Sequence, residues 1–211
     1  MYIQDKFREE RLDKLHAFMR AHALATIAVS APRLEAFLTP VEIVDDGKKG
    51  LVRAHAVRAN QLCKNTGADA LAIFQGANAY ISPRWYVNGQ RSGRVAPSWN
   101  FSTVHASGPL RVIDDPHWVR AHLASLAEAQ ESHRDNPWRL DEAPTEFIDG
   151  LIQHLVGIEI EIAHLEGKFF LSQQRTSEDR ASIVKNLAGE SRASALDLAR
   201  DIDAASPPIS S

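Results

Sequence analysis

Cysteine is almost absent: Cys63 is the only one in 211 residues. A lone thiol excludes an intramolecular disulfide and fits a reducing compartment. Long apolar runs are missing as well, since the best stretch, ALATIAVSA from Ala23 to Ala31, falls far short of the roughly 20 residues that span a bilayer. It reads as a strand, and no membrane association is expected. The opening MYIQDKFREE carries charge where a signal peptide needs an apolar core, so the expected location is cytoplasmic. Positive charge is not in excess: 24 Lys and Arg stand against 27 Asp and Glu, a formal net charge of −3. The chain therefore has no general attraction to nucleic acid and no convincing helix-turn-helix, and direct DNA binding is unsupported.

Nucleotide fingerprints are also absent. Neither a GxGxxG nor a Walker segment occurs, which removes NAD and ATP sites of those kinds. Nine histidines are present, yet none pair at the i, i+4 helical spacing or the HxH strand spacing that places two imidazoles on one ion, and no metal site is expected. His117 and His122 are five apart and fall on different helix faces. Cys63 lies in NQLCKN, which reads as a short helix with a half-buried thiol rather than a nucleophile.

What is present is ordinary globular material, 44% hydrophobic and 24% charged. Asp5 to Ala21 carries Leu12, Leu15 and Met19 at helical spacing. Short runs rich in branched residues follow: ATIAVS, LEAFLTPVEIV, LVRAHAV, ALAIFQG, AYISPRWY and SWNFSTVHASGPLRVI. DDGKKG reads as a hairpin turn, and Gly76 with Asn78 as another. The stretch VNGQRSGRVAP, Val87 to Pro97, reads as a loose loop. Asp115 and Pro116 then open a helix, a second begins near Pro144, and VGIEIEIAHLEGKFFLSQQ returns to strand with Val156, Ile158, Ile160 and Ile162 on one buried face and Glu159 and Glu161 on a wet one. Thr176 or Ser177, with Glu178 and Asp179, starts the final helix. Alternating βαβ units are missing, so the expected class is α+β, mainly antiparallel β, with the strands closing toward a barrel. One domain is expected over residues 1–190 with helical additions, then a C-terminal helix and frayed tail over 191–211.

Three polar segments point to chemistry. RAHAVRANQ ends a strand on Arg58 and Asn60, a cation and an amide. PSWNFSTVHASG alternates Trp99 and Phe101 with Ser98, Asn100 and Ser102, giving an aromatic face opposite a polar one; a planar ligand suits the aromatic side, and filling the barrel is the other reading of it. EGKFFLSQQR closes a strand with Lys168, Gln173, Gln174 and Arg175 just before a helix start, a setting that receives anions. Cations for a phosphate, an aromatic wall for a ring and amides for a pyrimidine edge match FMN, although any phosphorylated planar ligand asks for the same residues.

These segments, with MYIQDKFRE, AIFQGANAYISPRWY, APSWNFSTVHASGPLRVIDDP, VGIEIEIAHLEGK and LSQQRTSEDR, occur in an order that resembles the PaiB-like family of FMN-binding proteins, often described as negative transcriptional regulators. The resemblance runs from Met1 to about Leu187. It implies an FMN-binding split barrel, like that of pyridoxine-phosphate oxidases and flavin reductases, assembled as a homodimer with FMN at the subunit interface. It further implies that His55, Arg58 and Asn60 meet the phosphate and ribityl side, that Trp99 and Asn100 lie beside the ring, and that Lys168, Ser172, Gln173 and Arg175 complete the site. The chain departs from the family pattern at several positions: Gln174 replaces an Asn, Phe170 a common Lys, Phe101 a frequent Tyr, Leu38 a frequent His, and Gln61 the Pro that usually follows the Asn. Two other readings of the same barrel remain: an FMN-dependent oxidoreductase passing a hydride from NAD(P)H to a small acceptor, and a haem-binding barrel.

Overall fold

The computed structural model describes residues 1–30 and 33–205. Nine strands are described: β1 Arg8–Glu9, β2 Leu24–Val29, β3 Glu35–Pro40, β4 Glu42–Val44, β5 Leu51–Val57, β6 Asp69–Ile81, β7 Ser98–Ile113, β8 Leu155–Glu161 and β9 His164–Phe170. Six α-helices accompany them: α1 Leu12–Ala21, α2 Val87–Ser92, α3 Pro116–Glu131, α4 Thr145–Ile152, α5 Ser177–Ala188 and α6 Ala193–Ala204. Every recorded strand register is antiparallel, and the sheet order is β3-β2-β6-β7-β8-β5-β4, with β9 beside β1 and β7. No described helix is long and apolar enough to cross a membrane.

The chain divides into two compact units. The first contains Met1–Arg11, Gln75–Val104 and residues from Glu166 onward. Its core gathers Ile81, Tyr86, Leu171, Ile183, Leu187, Leu198 and Ile202, so α5 and α6 bury their apolar stripes here. Thr176 caps α5 by accepting from the Asp179 amide. The second unit contains Leu12–Phe74 and His105–Leu165. In it β5 pairs with β8 along its whole length, from Leu51↔Glu161 to Val57↔Leu155, and α3 and α4 join through Val119, Ile148 and Ile152. Asp115 caps α3 through the His117 amide at 2.8 Å, with Pro116 at the first helical position.

Several expectations need correction. The helix expected from Asp5 begins only at Leu12, because Arg8 and Glu9 pair with Lys168 and Gly167 while the Glu9 carboxylate accepts the backbone amides of Glu10 and Arg11. Leu12 is exposed, and His16 joins Leu15 and Met19 on the buried face. Gly76 and Asn78 form no turn: both lie inside the 13-residue β6, and Asn78 spends its side chain on the Trp99 indole and its carbonyl on Ser194. The loop expected at Val87 is helix α2, stopped by Gly93 at φ 67. Gly89 lets that helix close, since a Cβ there would meet Val95 at 2.0 Å. The long strand after Val156 is two strands, β8 and β9. Its wet face is not wet at Glu159, which is 4% exposed. The expected C-terminal helix is α6, which runs on to Ala204, into the expected frayed tail; residues 206–211 of that tail lie outside the described residues.

Candidate functional site

In the first unit, alternation along β7 separates an aromatic face from a polar one, and it is the polar face that is buried. Trp99 is 52% exposed and Phe101 half-buried, whereas Asn100 and Ser102 on the opposite face are buried. The aromatic side therefore does not fill the core. Trp99 donates its indole N–H to Asn78 Oδ1 at 3.1 Å and meets Tyr80, itself 47% exposed, edge-on at 6.2 Å. A tethered indole and a neighbouring phenol form a fixed aromatic wall open to a ligand.

Behind the wall, Asn100 Nδ2 donates to the Ser172 hydroxyl at 2.7 Å, leaving Oδ1 buried with no protein partner. Ser172 follows the end of β9 and stands at φ 62, the one non-glycine residue at positive φ among those described. The turn it opens is closed by the Arg175 amide on the Ser172 carbonyl at 2.9 Å. Gln173 locks the same turn from within, accepting from the Leu171 amide at 2.8 Å and donating to the Phe169 carbonyl at 2.5 Å. Its side chain is thus a loop brace. Arg175 stacks its guanidinium 4.2 Å above the Tyr86 ring and keeps a buried Nε without a protein partner. Lys168 donates to the Tyr2 carbonyl at 3.2 Å and sits 5.3 Å above Phe101. Two of the departures noted in the sequence touch each other: Phe101 and Phe170 meet edge-on at 6.2 Å, and Phe170 also packs on Phe7 at 4.4 Å.

The remaining predicted residues lie in the second unit. Arg58 forms a two-pronged pair with Asp114 at 2.7 and 2.6 Å and donates through Nε to the Gln153 carbonyl. The pairing raises the Arg58 pKa and holds the Asp114 carboxyl below its usual range. Asn60 caps the 3-10 turn Gln61–Lys64 through the Leu62 amide at 2.9 Å. His55 lines an open groove of about 610 Å³ with Val57, Trp138, Phe147 and Leu151, and its Nδ1 is buried without a protein partner. Burial, then the neighbouring His122, pushes the His55 pKa down, so the ring is neutral at pH 7. Cys63 is half-buried, and burial pushes its thiol pKa up, away from nucleophilic use.

Sequence reasoning missed two polar networks. Glu159 receives Arg53 Nε at 2.8 Å on one oxygen and Arg111 Nη2 at 2.5 Å on the other. Burial raises its pKa, but the two arginines outweigh that and hold it below the usual range. Strand pairing brings these three together, at Arg53↔Glu159 and Arg111↔Glu159, and only the register could have revealed it. The second network joins Glu42, Ser125 and His122, with His122 Nδ1 3.0 Å from Glu42. Among the described residues, no group of three or more His, Cys, Asp or Glu stands ready to hold a metal.

Comparison with known proteins gives this geometry its context. Residues 1–164 match a family described as "Putative FMN-binding domain". Protease synthase and sporulation protein PAI 2 of Bacillus subtilis (strain 168) is 25% identical over 203 residues, covering 94% of this chain and 95% of that protein. The uncharacterized protein YKL070W of Saccharomyces cerevisiae is 32% identical over 93 residues, 43% of this chain and 54% of that one. Among solved structures, the FAD and heme binding protein from Mycobacterium smegmatis aligns with a TM-score of 0.59 at 16% identity, over 83% of this chain and 79% of that one. The flavocytochrome Anf3 from Azotobacter vinelandii aligns at 0.53 and 17%, over 85% and 78%. At these identities the structural likeness speaks for the fold, a split barrel.

Proposed function

The chain belongs to the FMN-binding domain family, with FMN as its cofactor, and from that premise we propose that the flavin lies on the exposed aromatic face of β7, at a homodimer interface. Trp99 flanks the ring and Arg175 takes the phosphate, while Asn100, on the buried face, holds Ser172 and with it the turn that carries Arg175. Lys168 adds a second cation. FMN when bound supplies hydride and single-electron chemistry at its ring. The protein's part is to bind, orient and shield.

The carrying observation is the exposure of Trp99. An indole tethered by Asn78 and left 52% exposed beside Tyr80 is a costly surface for a monomer to present to water. A second observation supports the flavin: Arg175 Nε is a buried donor that no protein group satisfies. His55, Arg58 and Asn60 are the weaker part of the implied set, because Asp114 already neutralises Arg58 and the Leu62 amide occupies Asn60.

The output of the bound flavin is regulatory. PAI 2, whose name ties it to protease synthesis and sporulation, resembles this chain over 94% of its length. With a net charge of −3, the effect on transcription is indirect rather than through direct DNA contact. Sedimentation followed at the flavin absorption band tests the binding arrangement: the flavin should travel at twice the chain mass, and Trp99→Ala should lose flavin and dimer together. Flavin sedimenting with a single chain would refute the interface. Transcript profiles of a strain lacking the gene, restored by the wild type but not by Trp99→Ala, would support regulation; equal restoration by both would contradict it.

A further inference from the structure

Within the second unit, one face of α3 and the chain that follows it enclose a cavity of about 400 Å³, apart from every residue of the flavin reading. Arg120, Ala124 and Glu128 stand at i, i+4 and i+8 on α3 and form one row along its surface. The chain then turns back, and Pro137, Trp138 and Leu140 add to the lining. Two bonds anchor this returning segment. The Trp138 amide donates to Glu131 Oε2 at 3.2 Å, and the Arg139 amide donates to Glu142 Oε1 at 2.8 Å. Trp138 thus stands at the cavity on an anchored backbone, with its side chain 42% exposed.

Five charged residues line the cavity, and four of them already have a counter-ion. Arg120 pairs with Asp149, Arg139 with Asp141 at 3.3 Å, and Glu131 with Arg134 at 3.1 Å. Glu128 is the fifth, and no cation meets its carboxylate among the described residues. Its surroundings are acidic too. From Glu128 to Asp149 seven carboxylates stand against two arginines, an excess larger than the −3 of the whole chain.

We propose that this cavity binds an organic ammonium ion, one positive charge on an apolar body. Glu128 takes the ammonium, the Trp138 ring flanks the cation, and Ala124, Pro137 and Leu140 receive the apolar part. Charge balance selects the class, since one unmatched carboxylate asks for one positive charge. An anion would be repelled by the acidic segment, and a neutral ligand would cover Glu128 from water without compensating it.

The test is a titration of the full chain with phenethylammonium at about 0.15 M salt, where a diffuse field fades beyond about 8 Å. It is followed in proton–nitrogen correlation spectra at the Trp138 indole resonance, assigned with Trp138→Phe. The expected result is saturation at one site per chain, with the neutral and anionic analogues, phenethyl alcohol and phenylacetate, each at least about 10-fold weaker. Glu128→Gln should weaken binding by about 10- to 100-fold, the loss of one charge-assisted hydrogen bond, and Trp138→Leu by about 2- to 30-fold. Glu146→Gln removes a charge from the same acidic segment outside the cavity and should change binding by less than about 2-fold. Glu128 and Glu146 are exposed, and circular dichroism with urea midpoints verifies that each variant is folded. The proposal is overturned if the Trp138 resonance does not saturate, if Glu128→Gln binds as the wild type does, or if either analogue binds as tightly as the ammonium. It is overturned equally if Glu146→Gln weakens binding as much as Glu128→Gln, since the attraction would then belong to the segment's field and not to the cavity.

Discussion

Asn100 and Ser172 are 72 residues apart in sequence, yet the amide of one donates to the hydroxyl of the other at 2.7 Å, and both are buried. The bond spans from β7 to the turn after β9, so it fixes where Arg175 begins its approach. Ser172 is at φ 62, a region that charges an L-residue about 1–2 kcal/mol. Ser172→Ala keeps the strain and loses the hydroxyl, while Ser172→Gly loses both. Each leaves Asn100 without its partner, a loss of about 1–3 kcal/mol. The glycine variant should be the more stable by about 1 kcal/mol in urea unfolding, and both should bind FMN more weakly. Equal stability of the two variants would mean that the backbone at 172 carries no strain.

Glu159 supports the second unit through Arg53 and Arg111. Its carboxyl pKa is held below the ordinary 4.5, so its contribution is present above pH 4.5 and lost as pH falls through the lower folded value. Glu159→Gln should cost about 1–3 kcal/mol at pH 7, toward the low end because Arg111 is exposed and solvent screens that pair. The same variant should flatten the stability curve between pH 4.5 and more acidic conditions. An unchanged acid limb would assign acid unfolding to other carboxylates.

His55 works with the same sign at higher pH. Its folded pKa lies below 6.5, so protonation favours the unfolded chain; stability is full above pH 6.5 and falls as pH drops through the folded value. Urea midpoints measured at pH 7.5 and 5.5 should differ for the wild type. The difference should shrink in His55→Phe. Identical differences in both proteins would remove His55 from the account.

Two glycines mark close approaches that differ in their freedom to relax. A Cβ at Gly157 would lie 2.3 Å from the Trp118 ring, while one at Gly108 would lie 1.9 Å from the Glu161 carbonyl. Gly157→Ala should cost about 1–3 kcal/mol and be partly rescued by Trp118→Leu in a double-mutant cycle. Gly108→Ala should cost more, because its obstacle is backbone. Additive behaviour of the Gly157 and Trp118 changes would contradict their contact.

How far the sequence could be read follows from what kind of signal each feature leaves. The antiparallel class, the caps at Asp115 and Thr176 and the short helix around Cys63 were legible because each is local: a period, a turn residue or a capping side chain a few positions from its target. Local rules failed where a distant partner decided the outcome. Gly76 and Asn78 read as a turn, but Asn78 is claimed by Trp99 and Ser194; Glu159 read as solvated, but register places it between two arginines. At the site, alternation along β7 separated Trp99 from Asn100 correctly, yet which face was buried could not be read from the pattern, since both faces carry groups that a core or a ligand would accept. Gln173 reads as a ligand donor, but its side chain braces its own turn, accepting from the Leu171 amide and donating to the Phe169 carbonyl.

The central claim is that the Trp99 face with Arg175 holds FMN, and a direct FMN titration tests it. The wild type should develop a flavin absorption band with quenched flavin and tryptophan fluorescence. Arg175→Ala should weaken binding by about 1.5–3 kcal/mol, the worth of a charge-assisted hydrogen bond, and Trp99→Ala should lose the quenching. A wild type that stays colourless in excess FMN, or two variants that titrate as the wild type does, would contradict it.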